Sequence, residues 1–207
     1  MSHRACADDP DHTANRAQLD AFEAGRRRLP PAPASLAASS GSFLPPAFHF
    51  DLARPGAALF GVAPVGGQPN PLHPVVTLRA KIVQMRDVPA GTAIGYGHTY
   101  RTRDAARLAT IAVGYADGYL RAGSNKGAAW FQGVPLPVVG RVSMDSIVLD
   151  ASALPEGALA EGALVTLIGA ERGVDAVAAD AGTIGYEILT SLGHRYERRY
   201  AAEENHA

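Results

Sequence analysis

Residues able to do chemistry are few in this 207-residue chain. Lys81 and Lys126 are its only lysines, so a Schiff base formed by this sequence must use one of them. Tyr96 and Tyr100 alternate along a β-prone run. A phenol with a pKa near ~10 serves as a base at neutral pH only where its surroundings stabilise the phenolate. The seven histidines show no His-Glu-x-x-His spacing and the single cysteine, Cys6, has no partner cysteine, so a metal site has little support. Gly95-Tyr96-Gly97 and Gly66-Gly67 lack the strand, Gly-x-Gly-x-x-Gly, helix order of a dinucleotide fingerprint. Taken singly, the remaining candidates have plain structural roles. Ser39 and Ser40 suit a helix cap, Arg54-Pro55-Gly56 a turn, and Tyr96 a strand.

The frame that must position them is set by composition. With 47% hydrophobic and 19% charged residues, the chain can bury one sizeable core or two small ones. Nineteen basic against 20 acidic residues give a net charge of -1, which leaves no electrostatic footprint for a nucleic-acid backbone or an anionic membrane. A small neutral or zwitterionic ligand fits this balance better. The absence of an internal disulfide, a long apolar run or a signal-peptide pattern points to the cytoplasm.

Two unequal pieces are expected. Residues 12 to 29 place Leu19, Phe22 and Leu29 among polar neighbours, which predicts an amphipathic helix ended by Pro30 and Pro31. The apolar run opening at Ala34, with Phe48 to Leu52 and the turn at Arg54-Pro55-Gly56, continues a strand, loop, helix grammar. Residues 62 to 74, rich in Gly and Pro, read as a linker. Beyond Thr77 come β-prone runs at Leu78 to Val88, Arg107 to Val113, Val134 to Leu149 and Leu164 to Ile168. Their spacing predicts a small antiparallel barrel or sandwich. One or two short helices are expected over Val174 to Leu192, broken at Gly182-Thr183, and residues 201 to 207 are expected to fray.

Order gives these residues a joint meaning. Ile94-Gly95-Tyr96-Gly97-His98-Thr99-Tyr100, Ala112-Val113-Gly114-Tyr115-Ala116-Asp117-Gly118 and Val139-Gly140-Arg141-Val142-Ser143-Met144-Asp145 together resemble signature blocks of the alanine racemase family. Ser2-His3-Arg4-Ala5-Cys6-Ala7-Asp8 is similar to a segment the family writes Ser/Thr-His-Phe/Leu-Ala-x-Ala-Asp. The run Ala34 to Gly41, the motif Asp51-Leu52-Ala53-Arg54-Pro55-Gly56 and Thr183-Ile184-Gly185-Tyr186-Glu187 resemble three more family blocks. Ala38 stands where the family has asparagine, and Gly185 where it has a polar residue.

The resemblance implies pyridoxal 5'-phosphate as cofactor and alanine as substrate. By it, His3 packs on the cofactor ring, Ser39, Gly56 and Tyr186 contact the phosphate, and Arg54 faces the pyridine nitrogen. An arginine keeps its protons, so it donates to an unprotonated ring nitrogen and weakens the ring as an electron sink. Racemisation needs acid/base groups on both faces of one planar carbanion. The family uses a lysine on one face and the tyrosine matched by Tyr96 on the other. Met144 resembles the residue whose backbone meets the substrate carboxylate, and Tyr115, Arg121 and Asp145 resemble residues lining the access channel.

Neither Lys81, in a β-run, nor Lys126, in the loop Ser124-Asn125-Lys126-Gly127, resembles the family's cofactor lysine. The expected fold is therefore α+β. It has a cofactor-binding piece over residues 1 to 66, formed by the last βα units of an incomplete TIM-like (β/α)8 barrel, and the family's C-terminal β-domain over residues 75 to 200. The chain reads as a truncated racemase, inactive alone. By resemblance it belongs to a homodimer in which Tyr96 acts in the partner's site, and it could complement a lysine-bearing barrel half. The alternative is a non-catalytic β-domain module or gene remnant acting only as an assembly partner.

Overall fold

A computed structural model describes residues 1–201. The frayed end expected over residues 201 to 207 lies outside the described residues, apart from Ala201. Two compact units emerge: one holds Met1–Leu78 with Ile168–Ala176, the other Arg79–Leu167 with the residues from Val177 onward.

In the first unit, helix α1 spans Ala14–Arg26. It buries Leu19, and Asn15 Nδ2 donates to the carbonyls of Asp9 (2.8 Å) and Pro10 (3.3 Å), fixing the chain before the helix. Arg26 sits in the last turn, where a cation suits the helix dipole. Phe22 meets Phe50 edge-to-face at 5.0 Å, so the helix packs on the segment that carries Asp51 to Gly56.

The strand expected from Ala34 does not form as a ladder. Ser35 bridges Phe50 in antiparallel sense and Ala38 bridges Arg54 in parallel sense, each as an isolated pair, and a 3₁₀ turn follows over Ser40–Phe43. Phe50 takes a left-handed φ of 55°, which breaks the extended backbone that a continuous strand needs. The presumed linker over residues 62 to 74 carries no helix or strand but is tied down. Ala63 N donates to Asp175 Oδ2 (2.9 Å), Gly66 N to the Asp8 carbonyl (3.2 Å), and Asn70 Nδ2 to the Gly61 carbonyl (2.8 Å).

The second unit is built on strands. They are β1 Leu78–Val88, β2 Ala93–Ile94, β3 Tyr100–Arg101, β4 Ala106–Ile111, β5 Ala128–Phe131, β6 Val134–Pro137, β7 Ile147–Asp150 and β8 Leu164–Ile168. Six make one sheet in the order β6-β5-β8-β1-β4-β7, while β2 and β3 pair separately. The pairs β1 with β4, β4 with β7, β5 with β6 and β5 with β8 are all antiparallel. Val138, just past β6, bridges Leu149 of β7, and Val139 N donates to the Val148 carbonyl (2.9 Å). The two end strands thus meet, and the sheet is a nearly closed, mostly antiparallel barrel.

Sequence chemistry accounts for the pattern. Along β1, Ala80 and Ile82 point inward while Arg79 and Lys81 are exposed, the period-2 alternation of a half-buried strand. β6 carries Pro135 and Pro137, which cannot donate to a ladder and so suit an end strand. β5 turns into β6 through Gln132 (φ 50°) and Gly133 (φ 79°), the paired left-handed residues of a tight hairpin. The core includes Ala109, Ile111, Leu136, Ile147, Leu149, Val165 and Leu167, all essentially inaccessible. Helices α2 Val174–Ala181 and α3 Gly185–Ser191 break where the Gly182-Thr183 pair predicted, with Gly182 at φ 69°. No helix among the described residues is long and apolar enough to cross a membrane.

Candidate active site

The first unit brings four of the five expected cofactor residues, His3, Ser39, Arg54 and Gly56, onto adjoining segments, while Tyr186 belongs to the second unit. Arg54 N donates to the Ala37 carbonyl (2.9 Å), and Asp51 Oδ2 accepts from Ala34 N (2.7 Å), so residues 34–39 and 50–56 are zipped together. Buried Ser39 then accepts at Oγ from Gly56 N (2.9 Å) and Ala58 N (3.2 Å). A four-residue 3₁₀ turn, Ala57–Phe60, follows Gly56. Arg54 spreads its guanidinium between the Ser35 hydroxyl and the Ser2 carbonyl (Nη2 to O, 2.8 Å). Ser2 N donates to the Ser35 carbonyl (3.1 Å), which lays exposed His3 alongside the same segment.

Arg4 was not foreseen as special. Its side chain is 6% exposed, stacks over the Phe48 ring at 4.0 Å, and none of its three guanidinium nitrogens has a hydrogen-bond partner among the described residues. Burial lowers its pKa, an effect that the nearby Cys6 opposes. An unpaired buried polar group costs about 1–3 kcal/mol, more when charged. Arg4→Leu is therefore expected to raise unfolding stability by about 1–3 kcal/mol, read as a higher urea midpoint at unchanged slope. A lower midpoint would mean that the guanidinium finds a partner in solution.

In the second unit Tyr96 stands on an unusual turn. Gly95, Gly97 and His98 all have left-handed φ (67°, 70° and 47°), and the Tyr96 side chain between them is 73% exposed. Glycine adopts this conformation freely, whereas His98 is strained by it. An open concavity is lined by Gly95, Tyr96, Gly97, His98 and Ser143. A Cβ at Gly97 would lie 3.0 Å from Arg141 Nη1, so the Arg141 guanidinium rests directly against this turn.

Tyr115 and Met144 are brought together by backbone. Tyr115 N donates to the Ser143 carbonyl and Ala116 N to the Met144 carbonyl, both at 3.0 Å. Gly114 is required there, because a side chain would strike the Ser143 and Met144 carbonyls. Asp117 anchors the turn: buried, it accepts at Oδ2 from Gly114 N (2.8 Å) and pairs at Oδ1 with Arg195 Nε (3.1 Å). Arg195 Nη1 reaches Asp145 Oδ1 at 2.7 Å, so one guanidinium clamps the two turns that carry Tyr115, Met144 and Asp145. Its pKa is raised by the Asp145 hydrogen bond first and by Asp117 second. This clamp escaped the sequence reading, since Arg195 and Asp145 are 50 positions apart. Arg121 opens a 3₁₀ turn and is exposed, and Tyr186 lies on α3, 41% exposed.

Next to the clamp, Tyr196 has a buried hydroxyl with no hydrogen-bond partner among the described residues. Burial pushes its phenol well above the ordinary value, and the Asp117 carboxylate adds to the rise. The sign follows from linkage. An unfolded phenol ionises near ~10, so stability is intact below that pH and is lost as pH climbs towards the higher folded value. Tyr196→Phe should flatten this alkaline loss when denaturant midpoints at pH 8 and pH 11 are compared. Equal losses in both proteins would remove Tyr196 from the account.

Comparison with known proteins bears on what this arrangement is for. The sequence profile described as "Alanine racemase, C-terminal domain" matches residues 75–200, and "Alanine racemase, N-terminal domain" matches residues 1–64. The chain belongs to the alanine racemase family. It is 60% identical over 200 residues to "Alanine racemase, catabolic" of Mesorhizobium japonicum, covering 97% of this chain and 52% of that protein. Its identity to the protein of the same description from Agrobacterium fabrum is 54%, with the same coverage. Among solved structures, the alanine racemase from Bartonella henselae "with covalently bound pyridoxal phosphate" superposes with a TM-score of 0.91 at 46% identity, over 97% of this chain and 55% of that one. The chain spans about half the length of the curated alanine racemases it matches.

Proposed function

We propose that this chain supplies the tyrosine face and the non-covalent cofactor contacts of an alanine racemase that interconverts L- and D-alanine on pyridoxal 5'-phosphate. One observation carries the reading: Tyr96 projects, largely exposed, from a turn held in left-handed conformations beside the Arg141 guanidinium. No packing role calls for such a presentation, and strain of this kind collects where a side chain must be aimed.

The first unit fits the cofactor in part. Buried Ser39, the Gly56 N–H beside it and the open space around the Gly56 Cα suit a phosphate, and Arg54 suits a pyridine nitrogen. His3 would complete the first unit's set, and the resemblance gives Tyr186, on α3 of the second unit, a phosphate contact of its own. Lys81 and Lys126 are exposed residues of the second unit, on an outward strand face and a loop. Neither belongs to the unit that carries His3, Ser39, Arg54 and Gly56.

Bound pyridoxal phosphate would supply the electron withdrawal that acidifies the substrate Cα–H. Tyr96 Oη would take the proton from one face of Cα in one enantiomer and return it to that face in the other. The Arg141 guanidinium, resting against the turn, would limit where this phenol can point. The Met144 N–H, not hydrogen-bonded among the described residues, would receive the substrate carboxylate, with Tyr115, Arg121 and Asp145 bordering its approach. The acid/base group for the opposite face would come from a lysine outside these 207 residues.

On this reading residues 1–66 are the last βα units of a (β/α)8 barrel, supported by α1 and the parallel bridge Ala38 to Arg54, and residues 75–200 are the β-domain. Tyr96 would act across a homodimer, with the phenol entering the partner's site. The test is reassembly. The chain is co-expressed with a lysine-bearing N-terminal segment from a family member, and D-alanine is measured from L-alanine and the reverse. Turnover in both directions supports the reading. A stable, cofactor-loaded complex without turnover would favour a purely architectural role.

A further inference from the structure

The turn that carries Tyr96 closes the short β2–β3 hairpin, and Gly95-Tyr96-Gly97-His98 has little of its own to hold one backbone conformation above that pairing. Two glycines free the chain; below the turn Ile94 pairs with Tyr100, but within it the backbone bond found among the described residues is a long one, from His98 N to the Gly95 carbonyl at 3.3 Å. A tether comes from the loop after the Arg121 turn. Asn125 has a left-handed φ of 58°, which asparagine tolerates better than most residues. In that pose its backbone N donates to the Gly140 carbonyl (3.2 Å) and its Oδ1 accepts from Gly140 N (2.6 Å). Its Nδ2 meanwhile donates to Thr99 Oγ1 at 3.1 Å.

These two partners flank Tyr96 from opposite sides. Thr99 is the residue that leaves the turn. Gly140 lies beneath the residues that enter it: a Cβ on Gly140 would be 3.0 Å from the Ile94 carbonyl, and one on Gly95 would be 3.4 Å from Arg141 N. Ile94 and Val139 are themselves fixed in a buried cluster with Val88 and Leu108. One carboxamide therefore connects the exit of the turn to a rigid floor under its entrance. Ser124, its neighbour, braces the same floor by accepting from Val142 N at 3.0 Å.

We infer that Asn125 is a positioning residue for racemisation, fixing the Tyr96 phenol against Cα through Thr99 and Gly140. This rests on the reading of Tyr96 as an acid/base group. Asn125 touches neither substrate nor cofactor. Its effect is geometric, and small displacements of a reacting group are costly, about 10²-fold for a misplacement near 1 Å.

The test has two readouts. Backbone order parameters are measured on the full 207-residue chain at Tyr96, Gly97, His98 and Thr99 for wild type, Asn125→Ala, Asn125→Gly and Thr99→Val. Wild type should be rigid (S² about 0.85) and all three variants should fall towards about 0.6 at these residues alone. Asn125→Gly relieves the left-handed backbone yet lacks the carboxamide, so restored order in that variant would overturn the inference, as would unchanged order in Thr99→Val. Thr99→Val leaves the Asn125 loop intact and keeps the test open should the Asn125 variants fold poorly. In the reassembled enzyme, Thr99→Val and Asn125→Ala should lower kcat by about 10–100-fold in the steps served by Tyr96, with KM within about twofold. Loss of order with unchanged kcat would overturn the positioning role. If order falls but Tyr96→Phe leaves both directions untouched, the reading of Tyr96 fails instead.

Discussion

Incubated alone with pyridoxal phosphate and L-alanine, the 207-residue chain is expected to yield no D-alanine above the uncatalysed background. Racemisation requires acid/base groups on both faces of Cα, and this chain offers one candidate, Tyr96. Its two lysines are both exposed, and Lys81 alternates outward on β1, away from the core face. Borohydride reduction should therefore trap no stoichiometric cofactor on either. Trapping at Lys81 or Lys126 together with turnover would show that the chain builds a complete site from its own residues.

The second large effect concerns the phenol itself. In the reassembled enzyme, Tyr96→Phe would remove the proposed proton carrier on one face while keeping the ring. Positioned acid/base groups contribute typically ~10²–10⁴-fold. The loss should fall mainly on the proton transfer made at that face, and it should appear in kcat and kcat/KM alike, because the interaction exists only during the transfer. Arg54→Ala serves as a contrast. Losing the guanidinium that bonds Ser35 and Ser2 would, on the proposed reading, disturb the cofactor contacts, so both enantiomers should slow together.

Much of the second unit was legible because its signals are local. The β-prone run Leu78 to Val88 marked β1, and the Gly182-Thr183 break separated α2 from α3. The run from Val134 to Leu149 was read as one β-prone stretch but divides into β6 and β7, because Gly140 turns left-handed at φ 84° and tucks its backbone against Ile94. β5 escaped notice because Ala128 and Ala129 are both buried and give no alternation. In the first unit, the residues Ser35 and Ala38 find only single bridging partners, so an apolar run that looked like a strand ends as two isolated pairs.

For the candidate site, residue types were readable from motif order, whereas their supports were not. Ser39 and Gly56, each singled out by motif, are joined by a bond from Gly56 N to Ser39 Oγ that the motifs do not announce. The Arg195 clamp on Asp117 and Asp145, and the Asn125 tether on Thr99 and Gly140, join residues far apart in the chain and leave no periodic trace. Arg4 is the reverse case. It occupies a position where the family pattern is apolar, and only burial without a partner reveals it.

The assignment of Tyr96 to one face of Cα is tested most directly by solvent-deuterium incorporation at Cα in the reassembled enzyme, run separately from L- and D-alanine in wild type and Tyr96→Phe. Wild type should incorporate deuterium from both enantiomers. Tyr96→Phe should retain exchange from the enantiomer whose proton faces the lysine and lose it, by about 10²-fold or more, from the other. Equal exchange from both enantiomers in the variant would contradict the account and return Tyr96 to the status of an exposed turn tyrosine.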